Sequence, residues 1–296
     1  MELLHGYEQF RDLYQKIRPR SEKICSNCLL PQKTIAEALT DSDMYWEEYP
    51  QGLVLFTKHQ APGQYLKLFY FLRDISAFPD ISEDCPLILE ELDAGGKRVD
   101  YIRMITGSLQ NAGFTKAAEN HMFERSLEDP FLSAELNKRI ASLSAEGCRV
   151  VVDPVDIDRS GITGLWKEYL KPTDISSDHL SAPVSENAHI VCVVDRGNSV
   201  CGANWWECRG KVCEIRHTVT RSDFRRKQIG STMILFAAEQ ARAGLCRTAY
   251  TYIEKKNTAS MNMYERIGFR KNGKICVQFV RPASGSYHGS GGRQHK

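Results

Sequence analysis

The order of apolar and polar positions predicts a chain of alternating strands and helices, arranged in two segments of similar size. In the first segment, helical spacing predicts helices over residues 7–17, 34–39 and 99–112. Short apolar runs predict strands over residues 53–58, 65–73 and 86–92, the first two joined by a turn at 61–63. The sequence after residue 86 is therefore strand, helix and then Gly113-Phe114, a typical helix ending.

The second segment has the same alternation. A connecting helix is predicted over residues 133–146, and the strands that follow over 149–153, 189–194, 200–207, 212–220 and 249–253. Further helices are predicted over 162–170, from 229 to Gly244, and from 258 to Gly268, with a polar loop at 173–185. We expect an N-terminal α/β domain at 1–130, a connecting helix at 131–148, a second domain at 149–282 and a flexible tail at 283–296.

Composition excludes several classes of protein. The 296 residues are 42% apolar and 26% charged, and the formal net charge is +2, so neither nucleic acid nor a membrane surface is indicated as a partner. No apolar run approaches the roughly 20 residues that span a bilayer. The N-terminus has no basic stretch followed by an apolar one, as a secretory signal would. We expect a cytoplasmic protein, either a monomer or a homodimer.

The ten cysteines do not predict a metal site. They are scattered, mostly in apolar runs, and only Cys25 and Cys28 have the spacing of a zinc-ligand pair. A structural zinc site needs four ligands, usually with a second close pair, and the sequence has none. We therefore expect no metal, and reduced thiols that pack as small apolar side chains.

The most informative stretch is the helix predicted after the strand at 249–253. Asn257 and Thr258 can cap its first turn, Tyr264 lies about two turns further on, and Gly268-Phe269 ends it. Taken alone, this pattern also suits an ordinary strand–helix–strand unit in which Tyr264 belongs to the core.

A second pattern lies just upstream. The strand at 212–220 leads into a short basic turn, Arg225-Arg226-Lys227, and then into a helix that starts near Gly230. The free N–H groups and the dipole at a helix start attract anions, and arginine strengthens the contact with phosphate. A basic edge facing solvent is the alternative interpretation of Arg225, Arg226 and Lys227.

The two patterns together resemble the GNAT superfamily of GCN5-related N-acetyltransferases, over about residues 149–282. The resemblance implies an α/β (α+β) fold with a mixed, mostly antiparallel central sheet flanked by helices. It also implies acetyl-CoA as co-substrate and direct transfer to a primary amine in a ternary complex. The residues that it assigns to the cofactor site are Thr218, Val219, Thr220, Arg225, Arg226, Lys227, Gln228, Ile229, Gly230, Ser231 and Asn257. Gln228 departs from the family pattern, which has glycine there, so the phosphate contacts at this position are in question.

The resemblance also implies catalytic residues. Tyr264 matches the general acid of the family, although it can instead simply line the cofactor tunnel. Glu214 is expected to be the general base, because strict alternation puts its side chain on the same face as Thr218 and Thr220. Glu207 competes for this role, and either carboxylate can instead be paired with a neighbouring arginine, Arg209 or Arg216.

The role of the first segment stays open. It can be a degenerate GNAT-like copy, since its strand, helix and Gly-Phe echo the second segment, or an independent α/β domain. For the chain as a whole, the alternative to an enzyme is a non-catalytic, acyl-CoA-binding regulatory module. The amine acceptor cannot be identified from the sequence.

Overall fold

The structure is a computed structural model that describes residues 1–18, 24–27, 44–59, 65–76, 78–83, 85–93, 99–129, 132–153, 159–170 and 187–283. The helix predicted at 34–39, the turn at 61–63, the loop at 173–185, residue Cys28 and the tail from 284 lie outside these residues. Two compact units are present: residues 1–119 with 276–296, and residues 120–275. The domain boundaries expected at 130 and 148 remain a sequence-based prediction.

Among its described residues, unit 1 (residues 1–119 and 276–296) contains sheet strands and two helices. Its strands are β1 Glu2–Leu3, β2 Cys25–Ser26, β3 Met44–Tyr49, β4 Gly52–His59, β5 Tyr65–Leu72 and β6 Leu87–Asp93, and its helices are α1 Tyr7–Ile17 and α2 Val99–Asn111. The strand order is β1-β3-β4-β5-β6, and β2 pairs with β5. The pairing is antiparallel except between β5 and β6, which run parallel. Phe10 and Ile17 of α1 pack against Leu53, Leu55 and Phe71, as the amphipathic pattern of α1 predicts.

Unit 2 (residues 120–275) contains sheet strands with helices on both faces. Its elements are β7 Thr115–Ser126, α3 Leu132–Ala145, β8 Arg149–Val152, α4 Arg159–Tyr169, β9 Ala188–Val194, β10 Val200–Arg209, β11 Val212–Thr220, α5 Ile229–Ala243, β12 Thr248–Glu254, α6 Thr258–Arg266 and β13 Arg270–Arg281. Strands β7 and β13 contribute residues to both units. The order is β13-β7-β12-β11-β10-β9-β8. Of the pairs from β7 to β8, only β11 with β12 is parallel.

Two cores cover the two faces of this sheet. On one face, the α5-side core holds most of α5 together with Leu136 of α3 and Tyr264 of α6. On the other face, the α4-side core holds Ile162 and Trp166 of α4 with Trp205 of β10. The predicted fold class, a mixed and mostly antiparallel sheet flanked by helices, is confirmed.

Candidate functional site

Two neighbouring strands of unit 2 separate and leave an opening in the sheet. Strands β11 and β12 pair in parallel from Val212 opposite Thr248 to Glu214 opposite Tyr250. Both strands continue beyond this last pair, β11 along β10 and β12 along β7. The facing edges of β11 and β12 therefore have no ladder between them after Glu214 and Tyr250, which leaves their backbone groups available to a ligand.

A bulge bends β11 at this opening. Ala203 of β10 lies opposite Val219, and Trp205 lies opposite Arg216, so two residues of β11 face a single residue of β10. His217 is the first of these two and has a φ of 53°. This left-handed conformation costs a residue other than glycine roughly 1–2 kcal/mol, so the surrounding structure must stabilise it.

Hydrogen bonds from two neighbouring elements hold the bulge in place. The side-chain amide of Asn204, on β10, donates to the Arg216 carbonyl (3.0 Å) and to Thr218 Oγ1 (2.7 Å). The indole N–H of Trp166, on α4, donates to the His217 carbonyl (2.9 Å). The carbonyls of Arg216 and His217 thus accept hydrogen bonds from side chains of β10 and α4, respectively.

The bulge overturns one expectation from the sequence. Ile215 packs in the α5-side core, whereas Val219, four residues later, packs in the α4-side core. Residues an even number apart share a face in a regular strand, so the extra residue has reversed the alternation. Glu214 consequently faces the α4 side, while Thr218 and Thr220 face the α5 side. The prediction that these three side chains share a face is wrong.

The loop between β11 and α5 has the features of an anion site. Helix α5 begins at Ile229, after Arg226 with a φ of 66° and Gln228 with a φ of 60°. Within the part of the chain that the structure describes, no N–H group of residues 226–231 donates a hydrogen bond to another protein group. These N–H groups lie at the positive end of the α5 dipole, where an anion such as a pyrophosphate binds favourably.

Two positively charged side chains of the loop lie against aromatic rings. The Arg225 guanidinium lies 5.3 Å from the centre of the Tyr169 ring, and the Lys227 ammonium lies 4.7 Å from the centre of the Phe224 ring. Such cation–π contacts restrict long side chains that would otherwise move freely. Arg225 and Lys227 are thereby restrained in this loop.

The loop, the opening and helix α6 surround one cleft of about 980 Å3. Ten of the eleven predicted cofactor residues line it: Thr218, Val219, Thr220, Arg225, Arg226, Gln228, Ile229, Gly230, Ser231 and Asn257. Lys227, the eleventh, is not among the lining residues. Asn257 caps α6 as predicted, since its Oδ1 accepts a hydrogen bond from Ser260 N (3.1 Å). The size and the basic, N–H-rich end of the cleft suit a long ligand with phosphates at one end.

Two glycines let the elements around this cleft pack closely against one another. A Cβ on Gly230 would lie 3.2 Å from Met263 Sδ and 3.3 Å from Thr220 Oγ1. A Cβ on Gly202, in β10, would lie 2.8 Å from Ile229 Cγ2, closer than such atoms normally approach. Gly230 was predicted from the loop pattern, whereas Gly202 was not, because its neighbours come from a distant part of the sequence.

Arg139, on α3, is a member of the site that the sequence analysis missed. Its Nη1 donates to Gln228 Oε1 (2.9 Å) and to Ser231 Oγ (2.7 Å), and its Nε and Nη2 both donate to Glu135 Oε1. Arg139 also lines the cleft. The Glu135–Arg139 spacing is an ordinary helical ion pair, so nothing in the sequence distinguished it from a surface pair.

Tyr264 lies behind the cleft rather than in its wall. The side chain is 3% exposed, and its hydroxyl oxygen is 3.3 Å from Oγ1 of Thr218, which does line the cleft. Burial raises the pKa of Tyr264 to about 12, although hydrogen bonds with Thr218 and Thr251 lower it in part. The phenol is therefore protonated at neutral pH and can donate a proton.

Both candidate base carboxylates are paired with arginines on their own strands. Glu214 accepts from Arg216 Nη2 at 2.6 Å, and Glu207 accepts from both Nε and Nη2 of Arg209 at 2.7 and 2.9 Å. Burial raises the pKa of Glu214, but the charge of Arg216 and the hydrogen bonds of Arg216 and Tyr250 outweigh it, so the pKa lies below its usual value. Glu214 is thus ionised at neutral pH, and it sits at the last pair before the strands separate.

Trp205 and Trp206, adjacent on β10, point to opposite faces of the sheet, as strand alternation requires. Both are buried in a core, so neither is available to line a site for the amine acceptor. Trp206 packs in the α5-side core and stacks on His189, with the ring centres 4.3 Å apart. Trp205 packs in the α4-side core. Tyr250 and Tyr252 are half-buried neighbours in edge-to-face contact.

Neither metal ligands nor membrane spans are found in the part of the chain that can be described. No three His, Cys, Asp or Glu side chains among the described residues are grouped to hold a metal ion. No helix among the same residues is both long and apolar enough to cross a bilayer.

The sequence and the fold match known proteins. The family model described as Acetyltransferase (GNAT) family matches residues 163–269. No curated protein matches the sequence. Similar solved structures include a GCN5-related N-acetyltransferase from Kribbella flavida, with a TM-score of 0.54 and 13% identity over 84% of this chain and 93% of that one.

Two further structures are similar over nearly their whole length. A tandem GNAT protein from the clavulanic acid biosynthesis pathway has a TM-score of 0.56 and 12% identity over 96% of this chain and 98% of that one. A GCN5-related N-acetyltransferase-like protein from Streptococcus suis has a TM-score of 0.51 and 13% identity over 93% and 98%. At 12–13% identity, these structures show only that the fold is similar. The family model, in contrast, matches the sequence of most of the residues that line the cleft. The match to the GNAT acetyltransferase family covers residues 163–269 of this chain, which include the cleft-lining loop and helix α6.

Proposed function

We propose that the protein is an acyl-CoA-dependent N-acyltransferase that transfers an acetyl group from acetyl-CoA to a primary amine. The observation that carries the proposal is the row of N–H groups at residues 226–231, which have no protein acceptor among the described residues and lie at the start of α5 in a basic cleft. Phosphates of the coenzyme would bind at this end. The thioester would then reach the opening between β11 and β12.

In this proposal the amine attacks the thioester directly, in a ternary complex. The cleft lies on the α5 side of the sheet and Glu214 on the α4 side, so the opening after Glu214 and Tyr250 connects the two faces. The amine nitrogen forms a bond to the acetyl carbon, and the bond from that carbon to sulfur breaks. Glu214 takes the proton from the amine, because it is the ionised carboxylate next to the opening on the acceptor side.

The leaving thiolate needs a proton, and Tyr264 is proposed to supply it. Its hydroxyl is protonated at neutral pH, and Thr218 connects it to the wall of the cleft. Backbone N–H groups of β11 near Val219 would stabilise the oxyanion that forms on the thioester carbonyl, since the strand has no β12 partner there.

The test is calorimetric titration of the purified protein with acetyl-CoA, without any amine. We expect micromolar binding that weakens at least tenfold in the Arg225→Ala/Arg226→Ala double variant. The control is Lys271→Ala/Lys274→Ala, which removes two charges from exposed positions on β13 outside the cleft lining. If the wild-type protein binds, a panel of primary amines is screened for release of the coenzyme thiol. Absence of acetyl-CoA binding would refute the proposal.

For unit 1 we propose a degenerate copy of the acyltransferase fold that does not bind acyl-CoA. Strands β5 and β6 pair in parallel only from Leu66 opposite Leu87 to Leu68 opposite Leu89, and then both continue, as β11 and β12 do in unit 2. The described residues between β5 and β6 (73–76, 78–83 and 85–86) contain no helix, so they offer no helix start to a phosphate.

The opening in unit 1 is occupied by the chain itself. The Asn27 side-chain amide donates to the Leu68 carbonyl (3.0 Å) and the Glu90 carbonyl (3.3 Å), and its oxygen accepts from Tyr70 N (2.8 Å). Asn27 is 7% exposed and follows β2, which pairs with the end of β5. One buried side chain thus satisfies backbone groups of both separated strands.

Stoichiometry tests this part of the proposal. We expect one acetyl-CoA per chain, and an Asn27→Asp variant that binds it as tightly as the wild type. The aspartate keeps the acceptor for Tyr70 N but loses the donor to two buried carbonyls, so we expect it to lower the free energy of unfolding by about 1–3 kcal/mol. Two equivalents bound per chain would contradict the proposal.

A further inference from the structure

Position 228 is where this chain departs from the glycine of the family pattern, and the structure shows how its backbone accommodates the change. Gln228 has a φ of 60° and a ψ of 10°, the left-handed conformation that glycine adopts without cost. Its carbonyl accepts hydrogen bonds from Thr232 N and Thr232 Oγ1, both at 2.9 Å. The glutamine backbone therefore starts α5 in the usual way, and the problem that remains is its side chain, which shares the cleft lining with Gly230.

Arg139 controls that side chain. Its Nη1 donates both to Gln228 Oε1 and to Ser231 Oγ, and this draws the Gln228 amide toward α3. Glu135 accepts from the other two nitrogens of the same guanidinium at 3.2 and 2.7 Å, which fixes the fork in one plane. A bidentate arginine of this kind orients its partners more strictly than a lysine would.

The helix that carries Arg139 is itself fixed. Leu132, Leu136 and Leu143 of α3 are buried in the α5-side core. Ser133 donates to Glu239 of α5 at 2.8 Å, so α3 is attached along α5 and not only at its end. The position of Arg139 relative to the start of α5 therefore follows from the packing of two helices.

We propose that Arg139 is a positioning residue of the acyl-CoA site: it holds the Gln228 side chain aside, so that glutamine can occupy a position that otherwise needs glycine. This inference rests on the proposed function, because it concerns the affinity for acyl-CoA. It places a determinant of that affinity on α3, outside the residues matched by the family model. Without Arg139, the Gln228 side chain is free to enter the space above the N–H groups, where the phosphates bind.

The test is a double-mutant cycle on acetyl-CoA affinity, measured by calorimetry in Arg139→Ala, Gln228→Gly and the double variant. We expect Arg139→Ala to weaken binding about tenfold, equivalent to roughly 1.4 kcal/mol. In the Gln228→Gly background, the same arginine change is expected to have less than about a threefold effect, because glycine has no side chain to hold. Arg139→Lys should lie between wild type and Arg139→Ala.

Two controls separate positioning from loss of charge or of structure. Lys138→Ala removes a positive charge from the neighbouring exposed position of α3 and should leave the affinity unchanged. Circular dichroism melts establish that each variant is folded, and if Arg139→Ala is not folded, Arg139→Lys with and without Gln228→Gly completes the cycle.

Two results would overturn the inference. Equal losses from Arg139→Ala in the wild-type and Gln228→Gly backgrounds would mean that Arg139 contacts the ligand itself. No loss in Arg139→Ala would mean that it has no part in binding. Both differ from failure of the proposed function, in which the wild-type protein does not bind acetyl-CoA at all.

Discussion

The hydroxyl oxygens of Thr218 and Tyr264 lie 3.3 Å apart and join the bulged strand β11 to helix α6. Thr218 Oγ1 also accepts a hydrogen bond from the Asn204 amide at 2.7 Å. The same threonine therefore connects the bulge, the cleft wall and the proposed acid. Thr218 thus links the bulge directly to Tyr264.

Replacement of Tyr264 by Phe should lower kcat about 100-fold, since it removes the proton donor for the leaving thiolate. The KM for acetyl-CoA should change little, because Tyr264 does not line the cleft. The pKa of about 12 predicts that this acid causes no loss of rate in the wild type between pH 7 and pH 10. Steady-state kinetics with Tyr252→Phe as the control would check this, and an unchanged kcat in Tyr264→Phe would remove the acid role.

Replacement of Glu214 by Gln should lower kcat/KM for the amine about 100-fold and leave acetyl-CoA affinity unaltered. Burial raises the pKa of Glu214, but the charge and hydrogen bond of Arg216 outweigh it and hold the pKa below its usual value, so the carboxylate is ionised at neutral pH and loses its function only in acid. The acid limb of the pH–rate profile should disappear in the variant.

The control for this experiment is Glu207→Gln on β10, the strand next to that of Glu214, which removes a carboxylate paired with Arg209 of the same strand. It should keep wild-type rates. If Glu214→Gln retains both the rate and the acid limb, the proton of the amine leaves by another route.

The parts of the fold and of the site that could be predicted from sequence are local. Capping of α6 by Asn257 involves residues three apart, and the loop from Arg225 to Gly230 is a contiguous pattern. Helix α1 was predicted at its observed bounds, because its apolar residues recur at helical spacing. In each case the physical cause lies within one or two turns of chain.

The parts that could not be predicted depend on distant partners. The bulge needs a left-handed His217, which sequence does not signal, and is held by Asn204 and Trp166. Arg139 and Gln228 are 89 residues apart. Strand β7 begins with Thr-Lys-Ala-Ala-Glu-Asn at 115–120, in which polar and apolar residues do not alternate, so it was not predicted.

Close packing of α5 on β10 makes Gly202 a sensitive position. In Gly202→Ala the new Cβ would lie 2.8 Å from Ile229 Cγ2, 2.9 Å from Met233 Cε and 3.0 Å from the Val219 carbonyl. We expect the free energy of unfolding to fall by about 1–3 kcal/mol. Acetyl-CoA should also bind more weakly, because the start of α5 is pushed away from the sheet.

The matched control is Gly164→Ala in α4, where a Cβ meets nothing within 4 Å. Within a helix this change should stabilise the protein by roughly 0.5–1 kcal/mol. Urea denaturation of both variants measures the difference, and equal stability of Gly202→Ala and the wild type would contradict the packing argument.

Replacement of His217 by Asn should make the protein more tolerant of acid. Burial, and then the charge of Arg216, lower the pKa of His217 to about 3 from an ordinary value of 6.5. The unfolded chain therefore takes up this proton more readily than the folded one, so the histidine contributes stability above pH 6.5 that is lost as the pH falls from 6.5 toward 3.

Asparagine has no such titration and adopts a positive φ more easily than most residues. The free energy of unfolding of the His217→Asn variant relative to wild type should be constant above pH 7 and should then rise by up to about 1.4 kcal/mol for each pH unit below 6.5. Urea denaturation of both proteins between pH 8 and pH 4 measures this difference, and a constant value over the whole range would show that His217 titrates alike in the folded and unfolded chains.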